Sequence, residues 1–127
     1  ILYVADLERA RRFYDAAFGW AASVEAPTYV EYRIQDGARL GLMLQSSTRH
    51  LVGEDLGARR PTDGCPRGEV YLRVGDLDDA VARLEATGAR CTSPRAPRDW
   101  GDEAAYYLDP DGYVLGVARP RPPAHRA

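Results

Sequence analysis

Apolar positions along the chain change period several times, and those changes outline its elements. Leu7, Ala10, Phe13, Tyr14 and Ala17 recur at helical spacing and predict a helix over 7–18. Leu77, Ala80, Val81 and Leu84 repeat that spacing and predict a second helix over 77–87. An aspartate stands before each, Asp6 and Asp76, where a short carboxylate caps free backbone N–H groups. A glycine stands after each, Gly19 and Gly88, where a left-handed residue ends a helix. Between and beyond the helices the period falls to two. Residues 29–34 and 39–44 flank Asp36-Gly37, and 104–108 and 114–118 flank the turn Asp109-Pro110-Asp111-Gly112, so both pairs read as hairpins. Shorter apolar runs at 1–4, 70–74 and 89–92 add further strands.

The pattern also repeats. Val4-Ala5-Asp6-Leu7-Glu8-Arg9-Ala10 returns 70 residues later as Val74-Gly75-Asp76-Leu77-Asp78-Asp79-Ala80, each time after an apolar run and at the mouth of a helix. The chain therefore reads as a single α+β domain, 1–127, made of two βαβββ modules. The first spans 1–45 and the second 69–119. A linker rich in Gly, Arg and Pro, 46–68, is long enough to cover or line something. The proline-rich tail, 120–127, is expected to be flexible. Ile1 falls inside a strand, so residues preceding it are expected.

Alternation assigns faces. Leu40, Leu42, Leu44, Leu115 and Val117 are expected on the helices, leaving Gly41, Met43 and Gly116 opposite. A two-residue turn at Asp36-Gly37 places Gly41 across from Tyr32, and the same count around the second turn places Gly116 across from Tyr106. Val70, Leu72 and Val74 go to the core, so Glu69, Tyr71 and Arg73 point the other way. One face thus collects Tyr32, Met43, Glu69, Tyr71, Tyr106 and two glycines around a concave cavity, with the sheet curved and partly open and the helices outside.

Composition narrows the chemistry without choosing it. Apolar residues make up 45% and charged residues 28% of the chain, and the net charge of −2 offers no basic field for nucleic acid. No apolar run approaches the roughly 18 residues that span a bilayer. Cys65 and Cys91 read as reduced thiols of a cytoplasmic protein. His50 lies in the linker, where it reads either as a solvated loop histidine or as a residue within reach of the groove, and His125 lies in the tail. No Cys-His or Ser-His-Asp arrangement and no phosphate-cradling loop can be traced.

The duplicated modules, the V-x-D-L-x-x-A openings, Phe13-Tyr14, Trp100-Gly101 and the run from Asp109 to Val117 together resemble the vicinal oxygen chelate superfamily of glyoxalases, bleomycin-resistance proteins and extradiol dioxygenases. The resemblance covers residues 1–118. It implies homodimers, and in the family's enzymes a divalent metal held by up to four side chains. Carried over, the first ligand precedes Ile1, the second falls at Gly41, the third at Glu69 and the fourth at Gly116. Two glycines offer no donor, so no metal and no cofactor are expected, and a divalent metal is the minority reading. Glycine there opens room for a flat ligand. The expected function is metal-free binding and sequestration of a hydrophobic aromatic small molecule, antibiotic resistance being the type. The ligand residues are Tyr32, Gly41, Met43, His50, Glu69, Tyr71, Trp100, Tyr106 and Gly116. The alternatives are an enzyme of small-molecule metabolism, either metal-dependent or with Glu69 as base, and an interaction module without a ligand.

Overall fold

Two aspartates start the helices as expected. In a computed structural model that describes residues 1–48, 51, 66 and 68–122, the Asp6 carboxylate accepts the Arg9 N–H at 3.0 Å and opens α1, Leu7–Phe18. The Asp76 carboxylate accepts the Asp79 N–H at 3.0 Å and opens α2, Leu77–Ala86. Gly19, at φ 67°, ends α1 in the left-handed conformation that favours glycine. Around the helices the strands are β1 (Leu2–Val4), β2 (Ala22–Ala26), β3 (Tyr29–Gln35), β4 (Ala38–Leu44), β5 (Glu69–Arg73), β6 (Cys91–Pro97), β7 (Asp102–Leu108) and β8 (Val114–Pro120). The order is βαβββ twice, an α+β fold. Hydrogen bonding divides the strands into two four-stranded mixed sheets, ordered β1-β4-β3-β2 and β5-β8-β7-β6. The chain falls into two compact units, Ile1–Cys65 and Pro66–Ala127.

In the first unit α1 lies on β3 and β4. Ala10, Phe13, Tyr14 and Ala17 are buried against Val30, Tyr32, Leu40 and Leu42, and Val4 of β1 joins them. In the second unit α2 lies on β8 and buries Leu77, Ala80 and Leu84, and the sheet contributes Ala105, Tyr107, Leu115 and Val117 to that core. Each unit pins its helix to its sheet with one phenol. Tyr32 Oη donates to Asp15 of α1 at 2.7 Å, and Tyr107 Oη donates to Glu85 of α2 at 2.8 Å.

Three sequence expectations change. Strand β2 was not read at all, because Ala22–Ala26 is almost wholly exposed and shows no alternation. Strand β6 runs to Pro97 rather than stopping at residue 92, with Pro94 and Pro97 tolerated because it is an edge strand. Strand β8 takes in Pro120, paired with Asp102, and the Arg121 N–H donates to the Gly101 carbonyl at 2.9 Å, so the start of the supposed tail is tied to the sheet. None of the described helices is long and apolar enough to cross a membrane.

Candidate functional site

The turn at Asp36-Gly37 forms with Gln35 opposite Ala38 and Gly37 at φ 78°, but the next pair is Arg33 with Arg39. Ile34 is the extra residue of a bulge. A slip of one residue exchanges the faces of a strand. Gly41 therefore lies opposite Glu31, not Tyr32, and Tyr32 lies opposite Leu40. Tyr32 is fully buried, 5.6 Å from the Trp20 ring and tilted against Tyr14. Its burial and its hydrogen bond to Asp15 push the phenol well above the usual tyrosine range. Tyr32 is a core residue and leaves the candidate site.

Tyr29 takes its place on the face away from α1. It pairs with Met43, and its ring covers Gly41, where an added Cβ would stand 2.7 Å from Cε2 and 2.8 Å from Cζ. Its hydroxyl donates to Glu31 at 2.8 Å, and Arg39 stands 4.0 Å from the same carboxylate. Sequence reasoning missed Tyr29 because it counted the hairpin without the bulge. A signal was present: Tyr32 stands nine positions before Gly41 as Tyr107 stands nine before Gly116, and Tyr107 already reads as helix-facing by alternation.

The second unit keeps the expected register. Tyr106 and Tyr71 both flank Gly116, one on each neighbouring strand. A Cβ on Gly116 would stand 2.7 Å from Tyr71 Cδ2 and 3.0 Å from Tyr106 Cε1, so two rings close over the glycine. Those rings lie 6.4 Å apart, and the Trp100 ring stands edge-on to Tyr71, also at 6.4 Å. Trp100 is 54% exposed. It sits in a tight turn between β6 and β7, where the Gly101 N–H donates to the Arg98 carbonyl at 3.2 Å and the Arg98 N–H to the Asp102 carbonyl at 2.8 Å. Gly101 allows this turn with φ 100°, a value that side chains disfavour.

Polar groups behind the rings lock them. The indole N–H of Trp100 donates to Tyr71 Oη at 3.0 Å, and Tyr71 Oη donates to Asp102 Oδ2 at 2.6 Å. Arg73 Nε donates to the same oxygen at 3.1 Å. Asp102 is only 3% exposed. The Tyr71 hydrogen bond, helped by that of Arg73, holds its carboxyl below the usual range, and burial first and Asp102 second push the Tyr71 phenol up. Arg98 lies 5.3 Å from the centre of the Tyr106 ring and donates to the Ser93 hydroxyl and to the carbonyls of Pro94 and Ala104. Glu69 is exposed at the start of β5, on the face of Tyr71, with no hydrogen bond or ion pair among the described residues. Burial first and the charge of Glu69 second push the Tyr106 phenol up, which places that carboxylate near the ring. Asp102 and Arg98 were not singled out from sequence, since neither alternation nor spacing marks a carboxylate at the first position of a strand. His50, Cys65 and His125 lie outside the described residues.

Of the positions that the resemblance marks as metal ligands, Gly41 and Gly116 have no side-chain donor, and aromatic rings stand over both. Glu69 alone supplies a carboxylate. Among the described residues no group of three His, Cys, Asp or Glu side chains is placed to hold an ion. Within the second unit, Glu69 and Gly116 together offer one carboxylate, fewer donors than a transition metal takes.

The family model for the Glyoxalase/Bleomycin resistance protein/Dioxygenase superfamily matches residues 1–117. A glyoxalase-related enzyme from Fulvimarina pelagi is similar at 27% identity and TM-score 0.74, over 93% of this chain and 83% of that one. A glyoxalase/bleomycin resistance protein/dioxygenase family enzyme from Burkholderia phytofirmans PsJN shares the fold at TM-score 0.80 and 15% identity, over 94% of each chain. A lactoylglutathione lyase from Agrobacterium tumefaciens shares it at TM-score 0.69 and 21% identity, over 93% of this chain and 88% of that one. No curated protein sequence matches the chain.

Proposed function

The chain belongs to the Glyoxalase/Bleomycin resistance protein/Dioxygenase superfamily, and on that premise we propose that it is a cytoplasmic, metal-free binder of planar aromatic small molecules that acts by sequestration. The observation that carries this reading is Trp100. A large aromatic side chain left more than half exposed, yet held through its N–H to a neighbouring phenol, is a surface prepared for a flat partner. Tyr71 and Tyr106 continue that surface, and glycine at 116 lets both rings approach the strand. The open carboxylate of Glu69 gives a ligand one polar handle. Sequestration asks for affinity and abundance alone, which suits a face of rings with few free polar groups. The binding form is a homodimer, as the family resemblance implies.

Titration with a panel of planar aromatic compounds, followed by calorimetry, tests the reading. Trp100→Ala or Tyr106→Ala is expected to weaken binding about three- to tenfold, the range an aromatic contact supplies, with the melting temperature nearly unchanged. Equal loss of affinity and stability makes these rings ordinary core and ends the proposal. Stoichiometric Fe, Mn, Ni or Zn, retained through purification without chelators, overturns its metal-free part.

A further inference from the structure

Behind the open aromatic surface, one buried carboxylate oxygen, Asp102 Oδ2, accepts hydrogen bonds from both Tyr71 and Arg73. We infer that Asp102 is the positioning residue of the site. It fixes the Tyr71 phenol and through it the Trp100 indole, so that the binding surface is set before a ligand arrives. This rests on the reading of Trp100 as a ligand contact.

The direction of the hydrogen bonds carries the inference. A phenol has one proton to donate. Tyr71 gives its proton to Asp102 Oδ2 at 2.6 Å, which leaves its oxygen lone pairs facing outward, and the Trp100 N–H donates into them at 3.0 Å. An indole can only donate. If Tyr71 instead pointed its proton outward, it would confront the Trp100 N–H with another donor. The buried carboxylate therefore selects the one orientation of the phenol that can hold the indole. The Tyr71 hydrogen bond first, and then that of Arg73 Nε at 3.1 Å from the same oxygen, favour the ionised carboxylate although Asp102 is 3% exposed. A fixed ring loses less conformational freedom on binding, and this preorganisation raises affinity without adding a contact.

The test separates positioning from binding. Replacing Trp20 by Phe leaves Trp100 as the sole tryptophan of the chain's two. In that background, quenching of Trp100 fluorescence by acrylamide is measured without ligand for the parent, Asp102→Asn, Asp102→Ala and Tyr71→Phe. The Asp76→Ala variant serves as a control that removes the α2 cap and leaves this network intact. All three network variants are expected to quench faster and to show a shifted emission maximum, while the control does not. Unchanged quenching in both Asp102 variants, or an equal change in Asp76→Ala, overturns the inference whatever the ligand. Binding of an aromatic probe is then measured on the same proteins. A fall of about fivefold in the Asp102 variants, the equivalent of one ordinary hydrogen bond, completes the case. A freed Trp100 with unchanged affinity overturns the role of Trp100 in binding and leaves the positioning of the indole standing.

Discussion

Gly41 and Gly116 occupy equivalent strands and look alike in sequence, but the rings above them are held differently. Over Gly41 an added Cβ would meet the outer end of the Tyr29 ring, a side chain tethered by one hydrogen bond to a half-buried glutamate. Over Gly116 it would meet the middle of the Tyr71 ring and the edge of Tyr106 at once. Tyr71 is tied to both Asp102 and Trp100 and has nowhere to retreat. Gly116→Ala is therefore expected to cost about 1–3 kcal/mol, the usual penalty of overpacking. Gly41→Ala is expected to stay within about 1 kcal/mol of the parent, because the displaced ring end is free to swing and alanine gains about 0.5–1 kcal/mol over glycine in a strand interior. Urea midpoints of the two variants decide it, and equal losses would contradict the difference in anchoring. The two glycines stood out in the sequence through the resemblance, which puts metal-ligand positions there. Which rings stand over them was legible only in the second unit, where the hairpin register is regular.

At the level of elements, the helices were almost completely readable from sequence, since capping chemistry and period agree. Each Asp cap satisfies one free N–H of its helix, and removing it as Asp6→Ala or Asp76→Ala is expected to cost about 1 kcal/mol. Matched thermal melts would show this, with little loss in Asp6→Asn or Asp76→Asn because asparagine caps as well. The strands were less readable where pairing is irregular. Local alternation says which residues of one strand share a face, but a bulge shifts the partner strand without marking the sequence. Ile34 does this in β3 and moves Tyr32 from the predicted site into the core. The edge strands carry the same irregularity twice, between Ala22 and Val24 and between Cys91 and Ser93, at corresponding places opposite Tyr32 and Tyr107. Such shifts twist an edge away from unwanted pairing. They also remove the period by which β2 would have been found.

The whole chain repeats one structural device in its two units, a buried phenol that joins sheet to helix carboxylate. Tyr32 with Asp15 and Tyr107 with Glu85 are each held in the neutral, hydrogen-bonded form, and burial comes first among the causes that push both phenols above their ordinary value near 10. The sign of the linkage follows. A raised folded-state value means that the contribution of these groups is complete below the unfolded value, about pH 10, and is lost as pH rises from there toward the folded value. Below about pH 9 the two phenols then contribute no slope to the stability profile. Between about pH 10 and 12 the urea midpoint is expected to fall in the parent protein. In Tyr32→Phe/Tyr107→Phe, which has no phenol to ionise at either joint, that part of the fall should be absent, although the double variant starts lower at neutral pH by about 1 kcal/mol for each lost hydrogen bond. Tyr71→Phe separates core from surface, because Tyr71 is only half-buried and joins no helix. An alkaline slope that disappears in Tyr71→Phe and persists in the double variant would place the sensitivity in the aromatic face instead of the helix joints.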